Sequence, residues 1–172
     1  MTLAVSYASG VSDKPLLGST IGEFFNYAVK HYSDREAIVS IHQQVRLTYW
    51  QLAERADILA KAFIQADFKK GDRIGIWSPN NVEWLITQYA TAKVGLILVT
   101  INPAYRSHEL AYVLKQSGCK GLVLQNKFKS SNYEQMLCEL CPELRKVSPG
   151  KLVSREFELL TTIISTTESP TS

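Results

Sequence analysis

The sequence predicts an α/β protein, in which a first helix and a β-hairpin precede a parallel sheet of three or four strands with flanking helices. Two observations lead to this fold class. From Arg73 onward, short runs of consecutive apolar residues recur, as in strands that are buried on both faces. Helical stripes of apolar residues separate these runs, and this alternation is typical of the crossovers that join parallel strands.

The first predicted element is a helix that follows Ser19 and Thr20, two residues that can cap its free amides. Apolar residues then recur at helical spacing and predict one buried face, formed by Ile21, Phe24, Phe25, Ala28, Val29 and Tyr32. Two short runs, residues 37–41 and 45–48, come next. Because only polar residues separate them, this segment predicts a β-hairpin.

A capping box opens the second helix. The Thr48 hydroxyl can accept a hydrogen bond from the backbone of Gln51, whose side chain can in turn accept one from the backbone of Thr48. We expect a helix of about 17 residues here. Its buried stripe consists of Leu52, Ala56, Leu59, Ala60 and Phe63. The turn at residues 69–72 ends the helix.

Strand runs and helices then alternate. The run at residues 73–77 predicts the first strand of the sheet, and the run at 96–100 predicts the second. The helix between them carries its apolar residues on one stripe, formed by Val82, Leu85, Ile86, Tyr89 and Ala90. Another helix begins near Ser107 and ends at Gly118, which suits a left-handed C-cap, and the third strand run is residues 119–124.

The last predicted helix starts at a second capping box, Ser131 with Glu134, and ends before Pro142. Residues 161–165 predict a fourth strand. Each of these elements continues the alternation of strand and helix, so the pattern predicts a sheet with helices on both sides.

The chain divides into a flexible N-terminus over residues 1–18, one domain over residues 19–164 and a disordered tail over residues 165–172. Its 172 residues, of which 45% are hydrophobic, are enough for a single core without disulfides or a structural metal. The tail contains only Ser, Thr, Glu and Pro, a composition that buries too little apolar surface to fold.

Composition also bears on partners and compartment. The 19 basic and 16 acidic side chains are interspersed, so nucleic acid is not an expected partner. The longest apolar run, residues 94–99, is far below the roughly 20 residues that cross a bilayer, so no membrane span is expected. Residues 1–19 fit neither a secretory signal nor an Arg-rich transit peptide. The three cysteines are too few and odd in number for a disulfide framework, which favours a reducing compartment.

Ligands of open α/β sheets bind beyond the carboxyl ends of the strands, here residues 78–81, 100–106 and 125–129. These segments offer amides and hydroxyls. Acidic and imidazole side chains come only at the start of a following helix, at His108 and Glu109. No residue of these three segments is therefore suited to general acid–base catalysis. We therefore predict no catalytic, cofactor-binding or metal-ligating residue.

Several weaker signals have a structural and a functional interpretation. Cys138 and Cys141 form a C-x-x-C pair at the end of a helix, where the helix dipole opposes a thiolate, so core packing is favoured over redox or metal chemistry. Gly150 before Lys151 favours a turn over a phosphate loop. Packing or solvation is likewise favoured over ligand contact for the remaining candidates. These are Trp50, Trp77 and Trp84 (base stacking), Lys127 and Lys129 (anion contact), and His31, His42 and His108 (catalysis).

Four ordered segments resemble the AMP-forming acyl-CoA synthetases, the adenylate-forming ligase superfamily. They are LTYWQL at residues 47–52, KGDRI at 70–74, NNVEW at 80–84, and AKVGLILV at 92–99 followed by INPAY at 101–105 and EL at 109–110. GCK at residues 118–120 and CPE at 141–143 look most like the mitochondrial medium-chain branch. The resemblance covers about residues 20–164 and marks residues 19–164 as part of the family's large N-terminal domain.

The resemblance implies an enzyme that joins a fatty acid to ATP, releases pyrophosphate, and then transfers the acyl group from the acyl-adenylate to coenzyme A, with Mg²⁺ as the metal. The family's glycine- and hydroxyl-rich phosphate loop, its adenine and ribose segments and its catalytic lysine segment do not occur in these 172 residues. The chain is therefore expected to be a truncated ligase that is inactive alone.

The alternative is a non-catalytic binding or regulatory module that docks on a partner such as a full-length ligase. The last strand leaves a sheet edge and an apolar face uncovered, which favours self-association: oligomers would support the truncated ligase, and a stable monomer would support the module. The resemblance implies the mitochondrial matrix, whereas a chain that truly starts at Met1 would be cytosolic.

Overall fold

The computed structural model describes residue 10 and residues 13–148 and 150–166. Its regular elements, in chain order, are α1 (Ile21–Tyr32), β1 (Glu36–Ser40), β2 (Val45–Thr48), α2 (Tyr49–Gln65), β3 (Arg73–Trp77), α3 (Val82–Val94), β4 (Ile97–Ile101), α4 (Ser107–Ser117), β5 (Gly121–Gln125), β6 (Lys127–Phe128), β7 (Ser131–Asn132), α5 (Tyr133–Leu140) and β8 (Thr162–Thr166). A single 3-10 turn, Pro142–Arg145, follows α5.

The main sheet has four parallel strands in the order β4-β3-β5-β8. The predicted hairpin is present as the antiparallel pair β1–β2, and β6 pairs with β7 in a second short hairpin. The predicted α/β class, with a first helix, a hairpin and a parallel sheet, is therefore confirmed.

Alternate side chains of the strands point to opposite faces of the sheet, and each face has its own core. We call them the α2/α3 face and the α4/α5 face after the helices that cover them. Ile74 and Ile76 of β3 and Val123 of β5 lie in the α2/α3 core with Phe63. The α4/α5 core contains Trp77 of β3, Leu122 and Leu124 of β5, and Leu110, Leu114, Tyr133, Leu137, Leu152, Phe157 and Leu160.

The first helix is less buried than its apolar stripe predicts. Thr20 and Glu23 form a capping box that fixes its start, and Phe25 is buried against Tyr89, with ring centroids 3.9 Å apart. Ile21 is 63% exposed and Phe24 48% exposed, so the prediction of one fully buried face is wrong. The apolar stripe of α1 is wider than the surface that α2 and α3 cover, so its outer residues stay exposed.

The third helix differs from its prediction in the opposite way, because it is packed on several sides. Its fully buried residues are Val82, Thr87, Ala90 and Thr91, and its other residues are all partly covered. The hydroxyls of Thr87 and Thr91 donate to backbone carbonyls one turn earlier, which satisfies them inside the core. The apolar stripe of α3 therefore predicts only part of the surface that this helix buries.

The start of α5 and the end of β8 differ from their predicted positions. The cap of α5 is Asn132, whose Oδ1 accepts from the amide of Gln135 at 2.9 Å, so the predicted Ser131 cap is wrong. Strand β8 continues to Thr166, which pairs with Gln125, and so takes two residues from the predicted tail. Residues 1–9 and 11–12 of the predicted N-terminus and 167–172 of the tail lie outside the described residues.

Candidate functional site at the carboxyl edge of the sheet

The strand order creates one topological switch point. The chain leaves β3 for β4 on one side of it and then crosses to β5 on the other side, so the loops after β3 and β5 diverge. In open parallel sheets this divergence produces the crevice in which ligands bind. We therefore begin with the side chains that lie at the carboxyl ends of β3 and β5.

Three neutral polar side chains, Ser78, Asn81 and Gln125, form what we call the switch-point cluster. The Asn81 amide donates to the Ser78 hydroxyl at 2.9 Å and to Gln125 Oε1 at 3.2 Å, and it thereby joins the two diverging loops. Its Oδ1 accepts from the amide of Trp84 and caps α3. Ser78 is only 3% exposed, and its hydroxyl donates to the carbonyl of Pro79. The cluster holds the loops in place through bonds that it makes within the protein.

The hairpin contributes a second cap to α3 at the same edge. Gln43 Oε1 accepts from the amide of Val82 at 2.8 Å and from the Ser40 hydroxyl at 2.9 Å. The Gln43 amide donates to Glu83 at 2.8 Å. These contacts tie a residue of the predicted polar turn to a helix that begins some 40 positions later. No local sequence signal indicates such a role.

On the other side of β3, an aromatic pair fixes the loop after β4. The rings of Trp77 and Tyr133 stack with centroids 3.8 Å apart. The indole of Trp77 donates to the carbonyl of Asn102 at 3.2 Å, and the Tyr133 hydroxyl donates to that of Pro103 at 2.5 Å. Burial raises the pKa of Tyr133 to about 12, so this hydroxyl stays protonated at neutral pH and serves as a donor.

Besides Glu83, a second carboxylate, Glu134, reaches this edge without any local sequence pattern that predicts it. The hydroxyl of Ser165, near the end of β8, donates to Glu134 Oε1 at 2.8 Å and also to Asn126 Oδ1. Ser165 and Glu134 are both exposed. Glu134 follows β7 by two residues but lies 31 positions before Ser165, so no local sequence pattern indicates the contact between them.

The structure separates the candidates that sequence reasoning singled out. Cys138 and Cys141 are free thiols at the end of α5, and Cys141 is fully buried. Burial raises the pKa of the Cys141 thiol, which opposes a reactive thiolate and agrees with core packing. Gly150 has a φ of 73° in a turn closed by a hydrogen bond from Lys151 to Ser148, so the prediction of a turn is confirmed.

The aromatic and charged candidates divide between core and surface. Trp77 is fully buried and Trp84 packs against the α2/α3 core, whereas Trp50 is 53% exposed, so the prediction of core packing is wrong for Trp50. Lys127 and Lys129 are exposed on the β6–β7 hairpin. The three histidines, His31, His42 and His108, are exposed as well, in agreement with their predicted surface positions.

Within residues 13–148 and 150–166, no set of three His, Cys, Asp or Glu side chains is arranged to hold a metal ion. No helix in the same part of the chain combines the length and apolar character that a membrane crossing requires.

The main sheet has parallel strands in the order β4-β3-β5-β8. This strand order, together with the segments that resemble adenylate-forming ligases, points to one class of protein. Residues 25–171 match the family described as AMP-binding enzyme, and the chain belongs to that family.

The similar curated proteins are acyl-CoA ligases. The chain is 44% identical over 161 residues to the mitochondrial medium-chain acyl-CoA ligase ACSF2 of Mus musculus, and 43% identical to that of Homo sapiens. It is 38% identical over 149 residues to the putative acyl-CoA synthetase YngI of Bacillus subtilis. These alignments include 94% of the chain for the mammalian proteins but only 26% of their length, so the chain spans about a quarter of these relatives.

Solved structures show the same fold. The Mycobacterium tuberculosis fatty acyl CoA synthetase aligns with a TM-score of 0.70 at 23% identity, over 86% of this chain and 26% of that one. The isolated N-terminal domain of FACL13 from the same organism aligns with the same TM-score, and the alignment covers 34% of it. The described fold is therefore similar to about one third of a larger domain.

Proposed function

We propose that this chain is scaffold from the N-terminal domain of a medium-chain acyl-CoA ligase and that it catalyses neither half-reaction by itself. The observation that carries the proposal is the switch-point cluster. At the crevice where a ligand of such a sheet would bind, Ser78, Asn81 and Gln125 are neutral and hydrogen-bonded to one another. Groups arranged in this way hold loops, and they supply neither a general base nor a cradle for phosphate.

The reaction of the parent enzymes is the adenylation of a fatty acid by ATP, followed by acyl transfer to coenzyme A. Mg²⁺ and ATP do not fit the residues at the switch point. Magnesium is held by carboxylates and phosphate oxygens, and a phosphate cradle needs glycines that allow close approach of the backbone. The carboxylates described at this edge are Glu83 and Glu134; Glu83 is engaged by Gln43, and Glu134 is exposed and engaged by Ser165.

A second candidate function is a non-catalytic module that docks on another protein, such as a full-length ligase. The observation in its favour is the number of large apolar side chains on the surface, among them Leu17 at 71% exposure and Ile58 at 64%. Self-association through the sheet would use the same kind of surface and stays a prediction. The two mammalian relatives are named as mitochondrial, which supports a matrix location by resemblance; the cytosolic alternative stays a prediction.

The test is an assay of pyrophosphate release with ATP, Mg²⁺ and octanoate. We expect the purified 172-residue chain to release none above background, while the Mus musculus ligase under identical conditions turns over. Circular dichroism and cooperative unfolding of the same sample verify that the chain is folded. Turnover by the folded chain alone would overturn the proposal.

A further inference from the structure

The outer side of α1 carries large aromatic side chains that are exposed. The inner side of this helix packs on α2 and α3, one layer out from the sheet, and buries Phe25. On the outer side, Phe24 is 48% exposed and Tyr27 is 55% exposed. This surface is separate from the groove beside β8, which is lined by Ile58 and Ile164. It therefore offers a second place for association, apart from the sheet.

The rings on the outer side of α1 form a continuous row. Phe24 stacks on Tyr27 with ring centroids 6.1 Å apart, and Tyr27 packs on His31 with centroids 4.0 Å apart. The Nδ1–H of His31 donates to the carbonyl oxygen of Tyr27 at 2.8 Å, which holds the imidazole along the helix. Side chains that are already held in place lose little conformational freedom on binding, so this row is suited to contact with another surface.

The charges beside the row are separated along the helix. Glu23 lies in the first turn, four positions before Tyr27, and Lys30 lies in the last turn, three positions after it. The bonds from Thr20 that close the capping box use only Oε2 of Glu23, so its Oε1 can accept from another donor. Lys30 is exposed and forms no ion pair with another described residue. The surface thus has an acidic end and a basic end, with aromatic rings between them.

This arrangement is complementary to itself when two copies of α1 lie antiparallel. A two-fold axis near Tyr27 places the acidic end of each helix beside the basic end of the other. Glu23 of one copy then lies opposite Lys30 of the second copy, and Phe24 can contact the same ammonium group through its ring face. A parallel pair would place like charges together at both ends, so the charges select the antiparallel arrangement.

We propose that the outer surface of α1, defined by Glu23, Phe24, Tyr27, Lys30 and His31, binds the same surface of a second copy of this chain as an antiparallel helix pair. The occupant follows from the charges, because a purely acidic or purely basic partner would be repelled at one end of the helix. A helix of 12 residues is about 18 Å long, so the contact is smaller than the roughly 1,200 Å² of a stable interface. We therefore expect a weak dimer, with a Kd on the order of tens of micromolar.

The experiment is sedimentation velocity of the 172-residue chain over a concentration series from about 1 to 500 µM, which brackets the expected Kd. We expect a reversible equilibrium between monomer and dimer. The variant Tyr27→Lys places two ammonium groups near the two-fold axis and should weaken the dimer by about tenfold or more.

The matched control is Tyr112→Lys, because Tyr112 is also an exposed helical tyrosine, 63% exposed on α4, but lies outside the outer surface of α1. It should leave the dimer unchanged. Circular dichroism should show that both variants unfold like the parent chain, so a lost dimer cannot be ascribed to a lost fold.

A second arm tests the antiparallel pairing of charges. Glu23→Gln keeps a side chain that can close the capping box with Thr20, and Lys30→Gln removes the opposite charge. Each variant should weaken the dimer by about threefold and reduce its sensitivity to salt. The double variant should lose no more than either single variant, because the two side chains form one contact. Losses that add would contradict this pairing.

Two further outcomes would overturn the proposal. One is a parent chain that remains monomeric at the highest concentration. The other is a dimer that Tyr27→Lys leaves intact, and the variant Ile58→Lys then identifies its surface. If Ile58→Lys abolishes that dimer, the two copies associate through the groove beside β8 and the assignment to α1 is wrong.

Discussion

The two faces of the sheet carry similar strands but differ in how completely they are covered. The α4/α5 face buries Trp77, Tyr133 and Leu122 beneath two helices and the connector that leads to β8. The α2/α3 face buries Ile74 and Phe63 just as deeply at its centre but leaves a groove near β8. The α4/α5 face is therefore covered throughout, whereas the α2/α3 face is open near β8. We expect substitutions in the covered face to affect stability and substitutions in the open part to affect association through that face.

The largest expected contrast is between a buried residue of the covered face and an exposed residue of the open one. Trp77→Ala removes a fully buried ring that stacks on Tyr133, and it should lower the free energy of unfolding by about 3–5 kcal/mol. Ile58→Ala on the groove should change it by no more than about 0.5 kcal/mol. Urea unfolding followed by circular dichroism measures both. Comparable losses would show that the groove is closed in the isolated chain.

A smaller effect tests how tightly the centre of the open face is packed. A Cβ at Gly121 would lie 2.8 Å from the Phe68 ring and 2.9 Å from Ile74 Cδ1, so Gly121→Ala should cost about 1–3 kcal/mol of unfolding free energy. Gly18→Ala is the control, because a Cβ there meets no atom within 4 Å. Thermal unfolding of both variants is the measurement, and equal melting temperatures would mean that this core is loosely packed.

The smallest effect concerns the start of α5, which covers the other face. Asn132→Ala removes the side-chain cap and should cost about 1 kcal/mol, whereas Ser131→Ala, the residue favoured by the sequence pattern, should cost a few tenths. Chemical denaturation of the two variants under one set of conditions gives the comparison. A larger loss for Ser131→Ala would restore the sequence-based assignment of the cap.

These residues also show how far local sequence reaches. The Thr48–Gln51 capping box, the hairpin and the left-handed C-cap at Gly118 were all predictable, because each depends on residues within a few positions of one another. The cap at Asn132 was missed because Ser131 and Asn132 are adjacent residues that both suit a cap. Both residues are paired in the short hairpin, and the hydrogen bond from the amide of Gln135 to Asn132 Oδ1 shows that Asn132 is the cap.

The candidate site was predictable in its location but not in its contacts. The rule that loops after parallel strands form the crevice led to residues 78–81 and 125–129, where Ser78, Asn81 and Gln125 meet. The contact between Glu134 and Ser165 was not predictable, because 31 positions separate them and the helix that carries Glu134 has no pattern that fixes its place beside β8.

By itself the sequence determined the fold class, the order of the elements and the family, because periodicity, caps and family segments are properties of neighbouring residues. Only the tertiary structure decided which apolar side chains remain uncovered. Phe24, on the predicted buried stripe of α1, is exposed, while Thr87 and Thr91 are buried although they are polar. Burial depends on what lies across the gap between elements, and that is set by the packing of the whole fold.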